Sequence, residues 1–117
     1  WATPRGAVAL LRAVQEGRGL SGASRAHLLR WSIETGTGRQ RIRGMLPDGT
    51  IVAHKTGTSG TVDGIAAATN DIGVVTLPDG RHLAVAVFVS DARAHYAARE
   101  RVIAEIARML WDAATMR

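Results

Sequence analysis

Apolar residues recur every three or four positions over the first third of the chain, then every second position, then every three or four again. Thr3 and Pro4 read as a helix N-cap with proline at the first helical position, where its missing N–H costs nothing. Ala7, Leu10, Leu11 and Val14 follow at helical spacing, and Gly17 and Gly19 supply the stop. Ser21 caps a second helix carrying Leu28, Leu29, Trp31 and Ile33, which breaks at Gly36-Thr37-Gly38. A short third helix or turn is predicted over Arg39 to Met45, with Ile42 and Met45 turned inward, before the turn Leu46-Pro47-Asp48-Gly49.

From Thr50 the period becomes two. Thr50–Lys55 reads as a strand with Ile51 and Ala53 on one face and Val52 and His54 on the other. Thr56–Gly64 reads as a strand end plus a loop, Ile65–Leu77 as a second strand, and Pro78-Asp79-Gly80 as a tight hairpin turn. His82–Ser90 is a third strand. Its apolar run Leu83–Val89 predicts cover on both faces. After a connector from Asp91 to Arg93, a long helix over Ala94–Thr115 carries Val102, Ile103, Ile106, Ala107, Leu110 and Trp111 as one stripe against the sheet. The expected fold is α+β: a helical part over 1–45, then sheet and closing helix over 46–117.

With 117 residues, 46% of them apolar, the chain has room for one small domain and too little for two. The longest apolar run is seven residues, too short to cross a bilayer. The chain has no cysteine, which excludes disulfide frameworks and thiolate metal sites, and nothing in it calls for a cofactor or metal. Position 1 is Trp with no charged-then-apolar segment before it, so the chain reads as a piece of a longer polypeptide whose export signal lies upstream.

Charge is uneven. Residues 1–47 hold eight Arg and two Glu, a balance of +6, and the remainder balances to −1. A basic half can serve nucleic acid or an anionic membrane. These arginines, however, interleave with apolar positions at helical spacing, as on a solvated helix face, and the five aromatics are too scattered for a stacking platform.

Candidate chemistry lies in His54-Lys55-Thr56-Gly57-Thr58-Ser59-Gly60, which puts the only lysine of the chain at the end of an apolar strand. An ammonium, a hydroxyl and a residue without a side chain suit an anion bound beside a carbonyl. Gly57 would let a ligand press on the strand, and the N–H of Thr58 would be free to meet a developing oxyanion. Taken alone, the tripeptide could equally be a strand running into a loop with Lys55 solvated.

The surroundings decide between these. Leu46-Pro47-Asp48-Gly49-Thr50, Ala53–Gly60 and Ala68-Thr69-Asn70-Asp71-Ile72-Gly73, with the strand Leu83–Val89 and the helix Arg99–Met109, resemble the C-terminal half of a class A serine β-lactamase. The PER-like, extended-spectrum branch is the most similar. The resemblance covers essentially all 117 residues and implies part of the β-lactamase/transpeptidase-like α/β sandwich, with three antiparallel strands. It implies Lys55 over the nucleophile and substrate carboxylate, Thr56 bonded to that carboxylate, Gly57 leaving the strand open, and the Thr58 N–H as the second oxyanion donor. Arg41 falls where some class A enzymes complete the carboxylate site, the alternative being one solvated arginine of the run Arg39/Arg41/Arg43. Thr37 and Ser59 become rim residues, and His54 a packed strand histidine.

The Ser-x-x-Lys nucleophile motif, Ser-Asp-Asn and the Ω-loop Glu are not in the chain, so half an active site is expected here and the other half in an N-terminal portion. The resemblance implies a β-lactam substrate, an exported (periplasmic or secreted) protein, no nucleic-acid or membrane partner, and an open strand edge prone to self-association. A DD-peptidase shares the motif and half-fold. From a different class, three helices, strands and a basic N-terminal half outline a winged-helix nucleic-acid binder.

Overall fold

The computed structural model describes residues 1–116. Two helices, α1 (Pro4–Gln15) and α2 (Gly22–Glu34), lead through a single 3-10 turn (Ile42–Met45) into strands β1 (Val52–Thr58), β2 (Thr61–Val62), β3 (Ile65–Thr76) and β4 (His82–Ala92), and helix α3 (Tyr96–Thr115) closes the chain. Both caps form as expected: Thr3 Oγ1 accepts the Gly6 N–H at 3.0 Å and Ser21 Oγ the Ser24 N–H at 3.1 Å. The last carbonyls of α1 are closed from α2, where Arg25 donates to Val14 O at 2.8 Å and Gln15 O at 2.6 Å.

The sheet is antiparallel throughout. β3 is central, paired with β1 and β2 on one side and β4 on the other. One face carries Val52, Val75, Val85 and Val87 against Ile103 and Trp111 of α3 and Ile42 of the 3-10 turn. α1 and α2 lie on the opposite face.

Several expectations need correction. The third helix is one 3-10 turn; it buries Ile42 completely but leaves Met45 43% exposed, and the next residue, Leu46, takes the inward position in the core instead. Part of the loop after Thr58 is a hairpin: β2 turns into β3 through Asp63 and Gly64, both at positive φ, the geometry that a two-residue Asp-Gly turn supplies. The expected stripe of α3 divides, so that Ile103, Ala107 and Trp111 are buried while Val102, Ile106 and Leu110 are exposed beside Met109. Finally, β4 is covered fully on one face only. Val85 and Val87 are buried under α3, but Ala84, Ala86 and Phe88 opposite them are only partly covered. β4 also runs on to Ala92, and α3 begins at Tyr96.

Candidate active-site strand

β1 is an edge strand, and its pairing decides which backbone groups stay free. Ser59 N donates to Ala68 O at 2.9 Å and Thr76 N to Ile51 O at 3.0 Å, so the odd-numbered residues of this strand bond to β3. By alternation, the N–H and C=O of Thr56 and Thr58 face the open edge. Lys55 is exposed, and its Nζ donates back to Thr56 O at 2.7 Å along that edge. Thr56 Oγ1 donates to Thr37 Oγ1 at 3.3 Å, which joins the loop after α2 to the strand. Gly38 makes this approach possible. It sits at positive φ, and a Cβ there would collide with the methyl of Thr56. Ser59 points elsewhere: its hydroxyl donates to Gly60 O and accepts the Ala68 N–H, both at 2.9 Å, and so latches β1 to β3.

Arg41 departs from the expectation of direct contact with a ligand carboxylate. It is 1% exposed and every N–H of its guanidinium is engaged. Nε donates to Glu100 at 2.9 Å. One terminal nitrogen donates to Asn70 O at 2.7 Å and Gly57 O at 3.4 Å, and the other to Thr58 Oγ1 at 2.7 Å and Tyr96 Oη at 3.0 Å. The guanidinium therefore backs the strand from inside and ties it to β3 and α3. Its charge meets the open edge only through the hydroxyls it bonds.

Beneath Arg41 lies a second buried set. His54 Nδ1 is 2.9 and 3.0 Å from the two carboxyl oxygens of Asp71, with both side chains fully buried, and Asp71 Oδ2 accepts the Ile42 N–H at 3.1 Å. His54 is thus a packed strand histidine, as read from the sequence. Asp71 holds the 3-10 turn, and with it the backbone next to Arg41, against β1. Sequence reasoning missed Asp71, Glu100 and Tyr96. The spacing of Tyr96 and Glu100, four apart at the start of α3, was a signal that they share a helix face.

The sequence profile of the Beta-lactamase enzyme family matches residues 1–114. The chain belongs to that family. It is 48% identical over 112 residues to the extended-spectrum beta-lactamase PER-1 of Pseudomonas aeruginosa, covering 96% of this chain and 36% of that protein. A beta-lactamase crystal structure from Chitinophaga pinensis DSM 2588 superposes with a TM-score of 0.96 at 55% identity, covering 98% of this chain and 43% of the other. A class A beta-lactamase from Bacteroides cellulosilyticus DSM 14838 does so at 0.95 and 35% identity, covering 100% and 43%. This member of the beta-lactamase family thus spans about two fifths of the length of the relatives it matches. Its fold is that of the corresponding part of class A enzymes. No comparison supports a winged-helix nucleic-acid binder, and one 3-10 turn gives no recognition helix.

Proposed function

We propose that the intact protein is a class A serine β-lactamase, opening the lactam amide through an acyl-enzyme, and that this chain supplies the strand against which the substrate lies. The observation that carries this is the edge of β1, where the outward Thr58 N–H and the Lys55 side chain stand on a strand that Arg41 braces from behind. In this reading Lys55 is the fixed cation beside nucleophile and carboxylate, and Thr56 donates to the carboxylate. Gly57 keeps the strand open, and the Thr58 N–H is one of two oxyanion donors. Thr37 positions Thr56 through their hydroxyl contact, Ser59 holds the strand end, and Arg41 positions Thr58. Nucleophile and general base come from the N-terminal portion that the longer relatives possess.

That portion is also the partner this chain is shaped for. The groove between α1 and α2, lined by Leu11, Val14, Leu28, Leu29, Ile72 and Val74, the exposed α3 stripe and the outer edge of β4 are the surfaces it would cover. The working compartment is the periplasm or the exterior.

The test uses the intact enzyme and the 117-residue chain side by side on a chromogenic cephalosporin. The chain alone should give no turnover, having no nucleophile to acylate. In the intact enzyme Lys55→Ala should lower kcat/KM by about a hundredfold or more, the usual loss for one preorganised electrostatic contact, with its melting temperature unchanged because Lys55 is exposed. Turnover by the purified chain, or an undiminished Lys55→Ala enzyme, would falsify these roles.

A further inference from the structure

Thr58 Oγ1 and Tyr96 Oη accept from the same terminal nitrogen of Arg41, at 2.7 and 3.0 Å. A hydroxyl that accepts one hydrogen bond still carries its own proton, and among the described residues neither of these protons has an acceptor. Both residues face out: Thr58 is exposed on the open strand edge and Tyr96 is 51% exposed at the start of α3. The Tyr96 ring also lies close to two cations, with the guanidinium carbons of Arg41 and Arg99 at 5.6 and 5.2 Å from its centroid. Arg99 is itself anchored, donating to Thr69 Oγ1 at 2.6 Å and Ala94 O at 3.2 Å. Two guanidiniums against the ring, one of them donating to its oxygen, draw density from the phenol and strengthen its O–H as a donor to an anion.

We propose that Tyr96 is a specificity-determining residue whose Oη–H, paired with the Thr58 hydroxyl, binds the carboxylate of the substrate and carries the charge of the buried Arg41 to it. The inference rests on the β-lactamase reading above and adds to it a residue on α3. Arg41 needs no path to the surface in this arrangement. Its field reaches the ligand through two short, polarised hydroxyls that share one nitrogen. A carboxylate bound this way is held alike in ground state and transition state, so the contact belongs to KM rather than to kcat.

The experiment compares the intact wild-type enzyme with its Tyr96→Phe variant, which keeps the ring beside the two guanidiniums and removes only the O–H. Each is assayed on a penicillin and on the methyl ester of the same penicillin. Tyr96→Phe should raise KM for the free acid about three- to tenfold, the range for a partly exposed hydrogen bond to a charged group. The variant should leave kcat within about twofold and the ester kinetics unchanged. An unchanged KM on the acid, or an equal loss on acid and ester, overturns the assignment of Tyr96 while leaving the β-lactamase reading standing. A wild-type enzyme that turns over neither the penicillin nor a chromogenic cephalosporin overturns that reading, and this proposal with it.

Discussion

A methyl group on Gly73 would come within 2.7 Å of the Ala53 carbonyl oxygen and 2.8 Å of His54 Cβ, its cross-strand partner. The buried imidazole has its room because β3 carries no side chain there. Gly73→Ala should therefore destabilise the protein by about 1–3 kcal/mol, the usual cost of overpacking, read from urea denaturation. Asp71 answers for more than one partner. Asp71→Ala leaves both His54 Nδ1 and the Ile42 N–H buried without an acceptor, at about 1–3 kcal/mol for each orphaned group. Asp71→Asn keeps the shape and one acceptor oxygen, so it should lose roughly half as much in the same denaturation series. At this scale the sequence was partly legible. Lys55 was picked out as the sole lysine after an apolar strand, whereas Asp71 sits in Ala68–Gly73 like any polar residue of a strand. Its partner is seventeen residues away, and no periodicity announces a buried pair across two strands.

Elements were easier to read than their faces. Helix caps, the Pro78-Asp79-Gly80 turn and the switch of period all have local causes, and α1, α2, the three long strands and α3 lie where those causes put them. What failed was cover. Six apolar positions of α3 looked like one stripe, yet Ile103, Ala107 and Trp111 meet the sheet while Val102, Ile106 and Leu110 do not, because periodicity reports amphipathicity without saying how many partners a helix has. The two stripes should respond oppositely to substitution. Ile103→Ala should cost about 2–5 kcal/mol of stability even in the isolated chain, as a truncation in a packed core. Ile106→Lys should leave the isolated chain's stability nearly unaltered and reduce its self-association, measured by light scattering, yet destabilise the intact enzyme, where the proposed N-terminal portion would cover the outer stripe. An isolated chain that associates equally with and without Ile106→Lys would place the contact elsewhere, on the groove between α1 and α2 or on an open strand edge.

For the molecule as a whole, the basic N-terminal half was the feature most open to misreading. Arg25 and Arg43 are turned onto backbone carbonyls, Arg43 reaching Ile33 O at 3.2 Å and Val52 O at 3.1 Å, and Arg41 is buried. Part of the charge that a linear count assigns to a surface is thus structural, and linear order cannot reveal it, since each carbonyl belongs to another element. The Arg41 network also bears on the order of folding. Its partners stand 16, 17, 29, 55 and 59 residues away along the chain, so the guanidinium can be satisfied only after β1, β3 and α3 have met. Local hairpins such as β3–β4 close over short loops and need not wait for it. In pulse-labelling hydrogen exchange, β3–β4 amides should acquire protection first and amides around Arg41 and Glu100 in the last phase. The brace behind the edge of β1 would then be the last part of the molecule to become ordered. An enzyme built on it would acquire its finished substrate site only after the rest of its fold.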